Sequence, residues 1–167
     1  IAHQNNIYVS QYLGSTDNYD AQLSYRQTLQ HLIQVLTASP QVIIADKHPQ
    51  YFSSELAKEL ALKYGTNVIE VQHHKAHFAA VLAENNLLQC DEKVLGVIWD
   101  GTGFGDDAQI WGGEFFVYHQ NEMQRKQHIG YFPMLLGDKM AKEPRLSALA
   151  LCNNLTGAVH LLESKFS

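Results

Sequence analysis

The chain has 167 residues, a net charge of −5, a pI near 6.0 and 46% hydrophobic residues. That is enough for one globular domain or two small lobes, while the acidic balance argues against a nucleic-acid or membrane-surface role. No apolar run nears the ~20 residues of a membrane span, and no basic start marks a secretory leader. Cys90 and Cys152 stand far apart, which fits reduced thiols in a cytoplasmic protein better than a disulfide framework or a zinc ribbon. A start at Ile1 reads as a piece of a longer polypeptide.

In chain order, Ile7 to Leu13 is a strand candidate, and Gly14 to Asp20 is turn-forming with Asp20 as a helix cap. A helix is expected from Ala21 to about Ala38. Tyr25, Leu29, Leu32, Ile33 and Leu36 share one face of a 3.6-residue period, and Ser39-Pro40 stops it. Val42-Ile43-Ile44-Ala45 reads as a short strand buried on both faces. A second helix is expected behind Ser53 or Ser54, closed by Gly65. Asn67 to Val71 is a third strand, and a histidine-led helix follows to Glu84 or Asn86. This β-α-β-α-β-α order predicts a parallel sheet with crossover helices.

After Cys90 the grammar changes. Residues 94–99, 109–118 and 127–131 read as three strands of an antiparallel meander. Pro133 to Lys142 reads as loop, and Glu143-Pro144 opens a helix through Leu146, Leu149 and Leu151. The tail to Ser167 is a candidate for one more helix. The change of grammar near residues 90–92 places a lobe junction there, with lobes over 1–90 and 91–167.

Two stretches carry candidate chemistry. In Val71-Gln72-His73-His74-Lys75-Ala76-His77, a helix starting near His73 would aim His73 and His77 at one point, as a metal needs from two ligands on one helix. The other reading is a polar helix start with His74 and His77 half-buried. No Glu follows His73, so metalloprotease chemistry is disfavoured. In Trp99-Asp100-Gly101-Thr102-Gly103-Phe104-Gly105-Asp106-Asp107, a carboxylate closes a buried strand, where it needs a cation or hydrogen-bond donors. The glycines free the backbone to turn and to bring amides against an anion. A plain hairpin turn explains them too, and both readings can hold.

These segments, with Ile110-Trp111-Gly112-Gly113-Glu114-Phe115, Asp46-Lys47-His48-Pro49-Gln50-Tyr51 and Gly137-Asp138-Lys139-Met140-Ala141-Lys142-Glu143-Pro144-Arg145, form five motifs in one order. They resemble the C-terminal region of the HypF carbamoyltransferases, hydrogenase maturation factors, over nearly the whole chain. Lys47 and Gln50 depart from that family's usual apolar residue and acid. The resemblance implies an α/β, actin-like or sugar-kinase-like ATPase (ribonuclease H-like) fold, here the end of one lobe and the start of the second.

It also implies a region similar to Kae1 and TsaD that holds carbamoyl-adenylate beside a divalent metal, zinc or iron. The adenylate would be made elsewhere in the protein from carbamoyl phosphate and ATP with Mg. The carbamoyl group would pass to the C-terminal cysteine of the partner HypE, toward the cyanide ligands of NiFe-hydrogenase. By this resemblance His73, His77 and Asp100 are metal ligands, and Gly101, Thr102 and Gly103 lie near the nucleotide phosphates. No catalytic base is assigned: Glu114 fits strand pairing or a Gly-Gly bulge, and His74 fits packing.

A chain of this span is expected not to form carbamoyl-adenylate alone. Two alternatives accompany the transferase fragment: a related O-carbamoyl- or tRNA threonylcarbamoyl-transferase lobe, which the acidic charge disfavours for tRNA, and a non-catalytic partner-binding module.

Overall fold

Gln4 and Asn5 take positive φ values of 47° and 64°, the mirror-image turn that suits a two-residue hairpin loop. They join β1 (Ala2–His3) to β2 (Asn6–Ile7). The structure, a computed structural model, describes residues 1–137, 139–152, 157 and 160. The strand expected over 7–13 is not formed: β2 ends at Ile7, and the backbone bonds of the hairpin end one residue on, where Ile1 and Tyr8 exchange N–H and carbonyl at 2.8 Å.

Helix α1 (Tyr19–Val35) begins behind Asn18, whose Oδ1 accepts the Ala21 N–H at 2.8 Å. The cap is therefore Asn18 and not Asp20, which sits in the first turn where a carboxylate faces the positive end of the helix dipole. The helix stops at Val35, before Ser39-Pro40. Thr37 takes a φ of 47°, its N–H donates to the Gln34 carbonyl and the Ala38 N–H to the Ile33 carbonyl. That pair of bonds is a Schellman ending, which satisfies carbonyls a helix end would otherwise orphan.

β3 (Val42–Asp46) and β4 (Asn67–Val71) pair parallel, with Asp46 opposite Val71. Between them α2 (Phe52–Tyr64) buries Leu56, Ala57, Leu60 and Ala61. Gly65 closes it at a φ of 64°, as expected of a left-handed cap. Its start is not capped by a serine hydroxyl: Tyr51 takes the cap position, and the buried Ser54 Oγ donates to the Asp46 carbonyl at 2.9 Å. Burial of β3 on both faces is also not observed. Ile44 is 66% and Val42 48% exposed.

The chain divides into two compact units, Ile1–His73 and His74–Ser167. The division falls after the first residue of α3 (His73–Glu84). In the second unit β5 (Val94–Phe104), β6 (Ile110–His119) and β7 (Glu122–His128) form the expected antiparallel meander, in the order β5-β6-β7. The third strand starts earlier than its apolar content suggests, because Gln120 and Asn121 at φ 51° and 63° form a tight turn that starts the return at Glu122.

α3 turns His74, Phe78 and Leu82 inward at four-residue spacing. Phe78 and Leu82 join Ile98, Trp111, Phe116 and Tyr118 in one apolar cluster. A Cβ on Gly96 would lie 2.6 Å from the Phe78 ring, so the helix approaches the sheet through the missing side chain. Leu95, Val97 and Trp99 alternate with Gly96 and Ile98 and are exposed, so β5 is buried on one face and not on both.

The one-turn α4 (Lys139–Lys142) lies inside the segment expected to be loop, and α5 (Pro144–Cys152) opens on its proline as expected. The helix expected in the tail falls outside the described residues. Among those described, no helix is long and apolar enough to cross a membrane.

Candidate metal centre

The first imidazole is placed by a parallel register. Asp46 lies opposite Val71 at the ends of β3 and β4, and His73 follows Val71 by two residues. His73 Nδ1 then sits 2.9 Å from Asp46 Oδ2. The helix supplies the second imidazole. His77 lies one turn after His73, because residues four apart share a helix face. Its side chain is 59% exposed, whereas His74, one residue from His73, is fully buried beside Trp111.

The carboxylate comes from a defect in the β5–β6 ladder. Trp99 pairs with Gly113 and Gly103 with Trp111, so Asp100, Gly101 and Thr102 bulge opposite Gly112 alone. Gly112 permits this: a Cβ there would stand 2.9 Å from the Asp100 carbonyl and 3.1 Å from that of Gly101. The bulge turns Asp100 toward α3, and its Oδ2 lies 3.4 Å from His77 Nε2.

One ligand atom each from His73, His77 and Asp100 then falls within 4.8 Å of the others. Two ligands held about 2.0–2.1 Å from a tetrahedral metal are about 3.4 Å apart, the spacing already shown by His77 and Asp100. Two imidazoles and a carboxylate suit zinc or ferrous iron and leave positions open for ligand oxygens. The donor set fits a divalent cation.

The glycine-rich stretch is not a turn as expected. It continues as strand through Phe104, and the chain reverses at 105–109, where the Gly105 N–H donates to the Gln109 carbonyl at 2.8 Å and Ala108 takes a φ of 60°. Gly101 and Thr102 are exposed on the bulge and Gly103 is buried at its end. The Gly101 N–H donates to Asp100 Oδ1 at 2.7 Å. Lys75, in the first turn of α3, pairs with Asp106 of the reversal at 2.7 Å.

A polar network that the sequence did not reveal braces this reversal. Glu114 is buried on β6. Its Oε1 accepts the Gly112 N–H at 3.2 Å and its Oε2 accepts Arg125 Nε at 2.5 Å. The same guanidinium lies 3.9 Å over the Trp111 ring and donates to the Tyr131 hydroxyl at 2.8 Å. Tyr131 donates to Asp107 Oδ2 at 2.6 Å, and the Trp111 indole N–H to Asp107 Oδ1 at 2.8 Å. Burial by itself would raise the Asp107 carboxyl. The hydrogen bonds from Tyr131, Gln109 and Trp111 outweigh it and lower the pKa to about 2. Burial and the Asp107 bond raise Tyr131 above its ordinary value, against the opposing Arg125 charge. Glu114 is thus committed to holding the bulge, in line with its expected strand role.

Residues 1–84 match the family model for the HypF Kae1-like domain. Residues 96–166 match that for the second subdomain of the carbamoyltransferase Kae1-like domain. The chain is 44% identical over 151 residues to the carbamoyltransferase HypF of Synechocystis sp., covering 90% of this chain and 19% of that protein. It is 41% identical over 145 residues to HypF2 of Cupriavidus necator, covering 86% of this chain and 18% of the relative. The crystal structure of a full-length HypF in its phosphate- and nucleotide-bound form superimposes with a TM-score of 0.81 at 33% identity, over 93% of this chain and 20% of that one. That of T. kodakarensis HypF gives 0.78 at 34%, over 87% and 19%. The chain therefore spans about a fifth of the length of the relatives it matches.

Proposed function

The chain belongs to the HypF carbamoyltransferase family, and from that premise we propose that it is the metal- and nucleotide-holding part of such an enzyme. One observation carries the proposal: donor atoms of His73, His77 and Asp100 fall within 4.8 Å of one another. They come from motifs distant in sequence, brought together by a helix turn and a strand bulge. A Kae1-like domain implies an actin-like ATPase-type fold, and the α/β order of the elements agrees with it. The proposal takes the chain as the end of one lobe of that fold and the start of the next.

In the longer protein the reaction is transfer of a carbamoyl group from carbamoyl-adenylate, made from carbamoyl phosphate and ATP with Mg, to the C-terminal cysteine of HypE. A divalent cation on the triad would polarise the carbamoyl carbonyl or grip the adenylate phosphate. The attacking thiolate is nucleophilic enough to need little help from a base. The exposed bulge at Gly101 and Thr102, with Gly103 behind it, is assigned to the nucleotide phosphates, which can approach a backbone lacking bulky side chains. Cys90 and Cys152 are free thiols, which supports a cytoplasmic setting.

Elemental analysis of the purified chain and of its His73→Ala/His77→Ala variant tests the centre. Near-stoichiometric zinc or iron, lost in the variant, is the expected result. Equal metal in both proteins would refute the triad.

A further inference from the structure

Asp46 is absent from the triad, yet it touches the ligand that anchors it. Its Oδ2 lies 2.9 Å from His73 Nδ1, and its Oδ1 accepts the His48 N–H at 2.8 Å. The carboxylate is held from behind. The Asp46 carbonyl accepts Ser54 Oγ at 2.9 Å, and the next residue, Lys47, donates its N–H to the Val71 carbonyl at 3.0 Å. Asp46 is only 19% exposed and Ser54 is buried. This is a fixed acceptor, not a mobile surface acid.

A carboxylate oxygen can only accept at neutral pH, so the His73 atom facing it carries the proton. A neutral imidazole protonated at Nδ1 presents its lone pair at Nε2. Metal-bound histidines commonly donate their other ring N–H to a carboxylate, which sets tautomer and ring orientation together.

We propose that Asp46 is a positioning residue for the metal centre, holding His73 in the Nδ1–H form so that Nε2 is the atom offered to the cation. The proposal rests on the triad being a metal site. It gives the Asp-x-His-Pro segment two tasks at once. One carboxylate oxygen shapes the loop through His48, and the other orients a ligand across the β3–β4 ladder.

Asp46→Asn is a sharp test because it keeps size and shape. With its single oxygen retained by the His48 N–H, its amide would face His73 Nδ1 as a donor and drive the ring to the Nε2–H form. Two readouts are taken on the full chain: the His73 tautomer from long-range ¹H–¹⁵N spectra of the metal-free protein, and Co²⁺ affinity from its visible spectrum. The expected results are Nδ1–H in the wild type, Nε2–H in Asp46→Asn, and a Co²⁺ affinity about 10–100-fold weaker in the variant.

Equal Co²⁺ affinity in both proteins would overturn the proposal alone. A wild-type chain that shows His73 as Nδ1–H but takes up no Co²⁺ would overturn the metal site and the proposal with it. An Nε2–H form in the wild type would overturn the role of Asp46 without use of any variant, so the test survives a substitution that fails to fold.

Discussion

Arg125→Met should be among the most damaging single changes in the second unit, and its cost can be worked from the geometry. Glu114 is 2% exposed, and Arg125 is its cationic partner, at 2.5 Å. Methionine matches the aliphatic stem, and so keeps part of the packing on Trp111, but it leaves a carboxylate inside the protein. Removing one member of a buried pair costs about 3–5 kcal/mol. The guanidinium over Trp111 adds roughly 0.5–2 kcal/mol, part of which methionine restores through sulfur–aromatic contact. A net loss of about 4 kcal/mol, at a urea m-value of about 2 kcal/mol/M, lowers the midpoint by about 2 M.

The assay is urea unfolding followed by Trp111, which is 3% exposed and reports on this unit. Glu114→Gln removes the orphaned charge, so Glu114→Gln/Arg125→Met should be at least ~2 kcal/mol more stable than Arg125→Met alone. A loss below ~1 kcal/mol in Arg125→Met would refute the reasoning. So would an Arg125→Met cost that is the same in the Glu114→Gln background as in the wild type.

Gly96→Ala places a methyl 2.6 Å from the Phe78 ring, and Phe78 is itself locked in the core. Such overpacking costs about 1–3 kcal/mol, which a thermal melt will show as a lowered Tm; an unchanged or raised Tm would mean that α3 shifts freely on the sheet. The Asp107 network predicts acid sensitivity with a definite sign. Its folded pKa of about 2 lies below the ordinary 3.8, so its contribution is present above pH ~4 and lost as pH falls toward 2. Tyr131→Phe removes a hydrogen bond that depresses that pKa, and the slope of stability between pH 4 and 2 should flatten. Identical slopes in the two proteins would show that the hydroxyl does not hold the carboxylate.

The sequence by itself determined the local elements and the chemical types at the site. Period and punctuation located α2, α3 and the meander, because amphipathic spacing and glycine caps act within a few residues. His73 and His77 were legible as a pair, since their four-residue spacing becomes proximity once the helix forms. Tertiary structure decided what depends on partners far along the chain. The early end of α1 and the early start of β7 turned on individual backbone conformations at Thr37, Gln120 and Asn121. The exposed faces of β3 and β5 could not be read from apolar runs, because a run records the tendency to be buried and not the presence of a covering layer. Asp46 reached His73 only through the parallel register. Asp100 reached His77 only because Gly112 has no side chain where the bulged backbone passes. The Glu114–Arg125–Tyr131–Asp107 network left no mark in any local pattern. Its members come from β6, β7 and the segments beside them, and charge pairing between strands has no period along the chain.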